Sequence, residues 1–110
     1  MPHFFLKLLA PRPTFAMDMD AAEKAMMAEH LQYWTAKLDG GDVVVFGPVL
    51  DPAGPYGVAV VAAADDGAAR ALADGDPAIK SKRGFVCEIL PMRAVTRENN
   101  DSFVRETCHG

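Results

Sequence analysis

The sequence predicts an α+β domain with the element order β-α-β-β-α-β, built on a four-stranded antiparallel sheet. Three observations carry this. Four short runs are apolar or β-branched, two capped helical stretches fall between them in the required order, and proline- or glycine-rich breaks separate the elements. The 110 residues, half of them apolar, suit one domain with a modest core.

His3 to Leu9 is rich in Phe and Leu, stops before Pro11 and Pro13, and reads as the first strand. Residues 10 to 19 read as a proline-containing loop. Asp18 or Asp20 can cap the helix that follows, and Glu23 stands three residues after Asp20, where a capping box needs it. Over residues 21 to 39, Met27, Leu31, Trp34 and Leu38 recur at helical spacing and define the expected buried stripe, ended by Gly40-Gly41.

Asp42 to Phe46 and Tyr56 to Ala63 read as two strands joined by a long, proline-rich connection. Asp65 or Asp66 can cap a second helix over Gly67 to Ala73, broken by Asp74-Gly75-Asp76-Pro77. Phe85 to Leu90 reads as the last strand. Residues 1–95 then form the domain, and 96–110 a polar tail expected to be mobile or to serve as an exchangeable arm.

Two right-handed β-α-β crossovers with a central hairpin give a ferredoxin-like arrangement, both helices on one face of the sheet. Residues 43–46 (Val, Val, Val, Phe) and 58–62 (Val, Ala, Val, Val, Ala) show no polar alternation. A sheet covered on one face alone should alternate, so the second face needs its own apolar cover. The same sheet of a second copy supplies it, in a two-fold dimer packed face to face. Lys7 and Glu88 fall inside the first and last strands and are expected to form a cross-strand ion pair.

Composition narrows the function classes. A net charge of −4 argues against a sequence-independent grip on nucleic acid or on an anionic membrane. Cys87 and Cys108 form no close-spaced ligand pair, and with His3 and His109 they show no metal-ligand spacing, so no metal is expected. No glycine-rich phosphate loop follows a strand, so no nucleotide cofactor is expected. The run Phe4 to Leu9 is too short to span a membrane and lacks the features of a secretory signal. A cytoplasmic protein is the expectation.

His30 is the first candidate for chemistry. With Met27, Leu31, Trp34 and Leu38 buried, a step of about 100° per residue puts His30 about 60° from Met27, at the edge of the stripe. There an imidazole is partly desolvated yet within reach of a ligand, which suits a general acid or base. The competing reading is a helix-flank histidine bonded to a carbonyl or water. Asp76 before Pro77 matches the Asp N-cap and Pro N1 pairing of a short helix, and that alone accounts for it. The alternative is a carboxylate that orients His30. Phe15 and Tyr33 are candidate pocket linings, and Arg12, between two prolines, could present a guanidinium to an anionic ligand. No hydroxyl is marked as an activated nucleophile.

A resemblance sharpens this. His30-Leu31 in the first helix, Leu38 with Gly41 at its end, the strand closing with Gly47-Pro48, and the segment Ala73-Asp74-Gly75-Asp76-Pro77 together resemble the YCII-related family over residues 3 to 95. The resemblance implies small ferredoxin-like proteins that form dimeric α+β barrels and carry a His/Asp pair, matched here by His30 and Asp76. One related protein is a dehydrochlorinase acting on a chlorinated hydroxyhydroquinone. Other dimeric α+β barrels include lactone isomerases and small monooxygenases. Ala78 stands where members often carry an aromatic residue, and the loop Pro11 to Phe15 is longer than a minimal member needs. Two functions therefore follow. One is lyase- or isomerase-type proton transfer on a small hydrophobic or aromatic substrate. The other is a non-catalytic dimeric module that binds a small ligand or serves as an accessory.

Overall fold

The structure, a computed structural model, describes residues 1–97. Its elements are β1 (His3–Leu9), α1 (Phe15–Asp18), α2 (Ala21–Asp39), β2 (Val43–Val49), β3 (Tyr56–Ala62), α3 (Asp66–Asp74), α4 (Pro77–Lys80) and β4 (Val86–Met92). The strands form one sheet in the order β2-β3-β1-β4, with every neighbouring pair antiparallel. The polar tail expected to be mobile lies, from residue 98 on, outside the described residues. No helix among the described residues is long and apolar enough to cross a membrane.

Alternation along β1 separates the two faces of the sheet. Phe4, Leu6 and Leu8 are buried, and the register sets Leu6 beside Ala59 of β3 and Ile89 of β4. On this face Phe4, Leu6, Val43 and Val61 meet Trp34 of α2 and Ala69 and Ala73 of α3. Each of the larger side chains contributes about 1.5–3 kcal/mol by leaving water. Alanines at the contact let α3 approach the sheet closely, and Ala69 and Ala73 are almost fully buried. The other face carries Phe5, Val58, Val60, Val45 and Leu90, and there Val45 and Leu90 remain more than half exposed.

Helix α2 begins with the capping box the sequence announces. The Asp20 carboxylate accepts from the Glu23 backbone N–H, and the Glu23 carboxylate accepts from that of Asp20. It ends at Gly40, and Gly41 takes a φ of +91° that turns the chain into β2, a conformation open to glycine at little cost.

Several expectations change. β2 and β4 run on through Pro48 and Pro91, past Phe46 and Leu90, where the sequence reading ends them. Both are edge strands, which tolerate a missing N–H on the unpaired side. The loop 10–19 contains the short helix α1. On α2 the inward residues are Glu23, Met26 and Trp34, whereas Leu31 is 56% exposed and Leu38 39% exposed. The inward face is thus rotated from the expected stripe, and His30 lies near its centre, about 40° from both Met26 and Trp34. Lys7 does stand opposite Glu88, but its ammonium lies 4.5 Å from the centre of the Tyr56 ring rather than in the expected ion pair.

Candidate functional site

Asp76 occupies the junction between α3 and α4. Gly75 ends α3, and Asp76 caps α4 through its side chain, which accepts from the Ala78 backbone N–H at 2.8 Å, with Pro77 at the first helical position. The residue is only 2% exposed. Close packing holds the junction in place: a Cβ added to Gly75 would stand 2.5 Å from the Tyr33 hydroxyl, which donates to the Leu72 carbonyl at 2.7 Å.

The same carboxylate meets α2. His30 Nδ1 lies 2.8 Å from Oδ1 and 2.9 Å from Oδ2 of Asp76, and the Trp34 indole N–H donates to Oδ2 at 2.9 Å. Indole and backbone N–H groups only donate, so both carboxylate oxygens are acceptors here. His30 Nδ1 is then a protonated nitrogen, which leaves Nε2 as the nitrogen that can take up or release a proton. Nε2 has no hydrogen-bond partner among the described residues, and it is not sealed from solvent.

The imidazole borders a cavity of about 370 Å³ between the inner face of the sheet, α2 and the segment 10–19. Leu8, Phe46, Met27, Leu31 and Phe15 give it a largely apolar wall. Gly57 and Ala59 leave room in the floor, where a larger residue would fill the space. Cys87 also borders it, and burial pushes its thiol up to about 11, so it stands there as a thiol rather than a thiolate nucleophile. Among the described residues, no three His, Cys, Asp or Glu side chains gather closely enough to hold a metal ion.

The candidate residues separate into two groups. His30, Asp76 and Phe15 border the cavity, with Phe15 buried and packed edge-on against Phe85 at 5.0 Å. Arg12 and Tyr33 do not. Tyr33 packs against the edge of Trp34, and burial, followed by the charge of Asp76, raises its hydroxyl above the ordinary range. The Arg12 guanidinium is occupied in an ion-pair network. It bonds both oxygens of Glu23, at 2.8 and 2.9 Å, and Asp18 Oδ1 at 2.8 Å. Arg12, together with the Asp20 backbone N–H, holds the Glu23 carboxyl at about 2. Asp18 is likewise lowered, first by the Thr14 hydroxyl and then by Arg12.

Trp34 is the member that sequence reasoning assigned to the core alone. Its i+4 spacing from His30 was the available signal, because that spacing stacks two side chains on one helix face. The comparisons with known proteins complete the picture. A model of the YCII-related domain matches residues 4–93, nearly all of the described chain. The chain belongs to the YCII-related family. No curated protein matches this YCII-related chain. The match takes in all four strands except His3 of β1, and both sides of the His30–Asp76 contact, so the site lies inside the shared domain.

Proposed function

We propose that this YCII-related protein is a cytoplasmic proton-transfer enzyme of the lyase or isomerase type, acting on a small hydrophobic or aromatic substrate. One observation carries the reading: a buried carboxylate, held by an indole and a backbone amide, fixes an imidazole with Nδ1 protonated and leaves Nε2 free beside an apolar cavity. Nε2 accepts a proton from the substrate, and Asp76 stabilises the resulting imidazolium through Nδ1–H. The same nitrogen then returns that proton, to another carbon in an isomerisation or to the leaving group in an elimination. With Cys87 held as a thiol, general acid–base chemistry is favoured over covalent catalysis.

The strand order, with both long helices on one face, supports a ferredoxin-like protomer, and the bare second face supports pairing with another copy in a dimeric α+β barrel. Val45, Val86 and Leu90 are each more than half exposed on that face, with Lys7 and Glu88 set among them, and exposed apolar side chains grouped on one face in this way are unusual in a monomer. Sedimentation equilibrium at micromolar concentration should give a dimer, and a stable monomer would refute the pairing.

The activity is tested by screening small aromatic and lactone substrates and repeating any turnover with His30→Gln. Loss of turnover with the melting temperature changed by only a few degrees supports the reading. Unchanged turnover refutes the role of His30, and absence of turnover in the wild type leaves the non-catalytic binding module, in which Asp76 serves as helix cap and as acceptor for the indole and the imidazole.

A further inference from the structure

We infer that the ligand taken by this cavity is a neutral weak acid, one that brings its own proton and carries no fixed negative charge. The inference deepens the proton-acceptor reading of His30 and rests on it. Charge decides it. Among the described residues no lysine or arginine lines the cavity. Arg12 is bound to Glu23 and Asp18, Arg70 reaches outward to the Cys87 carbonyl at 3.5 Å, and Lys7 projects from the opposite face of the sheet over Tyr56. The wall instead holds one carboxylate, Asp76, whose two oxygens are already engaged by three donors.

A carboxylate or phosphate ester entering this space would place a second anion near Asp76, against apolar side chains and a lone pair. An unpaired charge in such surroundings is strongly disfavoured. A neutral acid avoids this. Its O–H or activated C–H points at Nε2, the bond to hydrogen breaks as the N–H bond forms, and the electron pair stays on the ligand. The imidazolium then stands between two anions, with Nδ1–H on Asp76 and Nε2–H on the ligand. Charge therefore appears in the cavity only as a balanced pair. Phe15, Phe46 and Trp34 suit a flat apolar body for such an acid.

The test compares 4-nitrophenol with 4-nitrobenzoate on the full wild-type chain, at a pH where the free phenol is mostly protonated and the free benzoate ionised. Calorimetry reads affinity, and the phenolate absorption band reads proton transfer. The expected result is saturable phenol binding with growth of the phenolate band, benzoate binding about tenfold or more weaker, and loss of the band in folded His30→Gln. Benzoate binding as tightly as phenol overturns the charge selection while leaving His30 a proton acceptor. Phenol binding without the band, or with the band unchanged in His30→Gln, overturns the proton-acceptor reading itself. Binding of neither probe at millimolar concentration overturns the inferred ligand class.

Discussion

Replacing Asp76 by Asn changes one atom and removes the charge from the centre of the site. Asp76 is 2% exposed and accepts from three donors: Ala78 N–H at Oδ1, Trp34 Nε1–H at Oδ2, and His30 Nδ1 at both. An amide has one oxygen, so either the indole or the backbone N–H of α4 must face the new NH₂ group. A buried donor left without an acceptor costs about 1–3 kcal/mol. The charge-assisted bond to His30 also becomes a neutral one of roughly half the strength. A total near 2 kcal/mol lowers the melting temperature of a domain this size by about 8–16 °C. Nδ1 lies within reach of both positions, so the amide oxygen and the NH₂ group compete for it, and the NH₂ group can meet it only by donating, which shifts the imidazole proton toward Nε2. Long-range ¹⁵N–¹H correlation of the His30 ring should therefore show Nδ1–H in the wild type and Nε2–H in Asp76→Asn. Any turnover should fall by about 10⁴, as it does when the same exchange reverses the tautomer of a catalytic triad. An Asn variant as stable as the wild type, with Nδ1 still protonated, would refute this account of the carboxylate. Stability loss alone does not separate catalyst from scaffold, because the capping and indole bonds are lost in either case. The tautomer does.

In Gly75→Ala, the new Cβ would stand 2.5 Å from the Tyr33 hydroxyl, so the ring must move and give up its bond to Leu72. Chemical denaturation should show a loss of about 1–3 kcal/mol, much reduced in a Tyr33→Leu background, and equal losses in both backgrounds would refute the contact. Glu23 makes an acid-sensitive contribution. Its carboxyl titrates at about 2 when folded against 4.5 ordinarily, so its stabilisation is complete above about pH 4.5 and lost as pH falls toward 2. Melting curves from pH 6 to pH 2.5 should fall more steeply for the wild type than for Glu23→Gln, and parallel curves would rule out the Arg12 pairing as the cause.

The fold was legible wherever its determinants are local. The Asp20–Glu23 capping box, the glycines after α2 and the Asp65 cap of α3 all act within four residues, and the elements they bound were found nearly in place. Reading failed where a distant partner decides. Helix α1 sits in a segment tied to α2 by Arg12 and Glu23, 11 residues apart in sequence. The inward face of α2 was misplaced because apolar periodicity counts Leu31 as buried and ignores Glu23 and His30, two polar residues whose partners let them turn inward. Asp76 was readable as a cap because Ala78 is two residues away. Its bonds to His30 and Trp34 span 46 and 42 residues and depend on the helices packing against the same face of the sheet. The carrier of each proton is a tertiary property, and no local pattern encodes it.

The anchors of Asp76 are an indole, which also borders the chamber, and a main-chain amide, which does not. Phe15, Phe46 and Gly57 shape that chamber without bonding to the aspartate. Proton handling and substrate fit consequently share Trp34 and otherwise rest on different residues. A library that varies only those three positions could retune which molecules the protein accommodates while the imidazole keeps its orientation, which makes this small scaffold a modular starting point for altered selectivity.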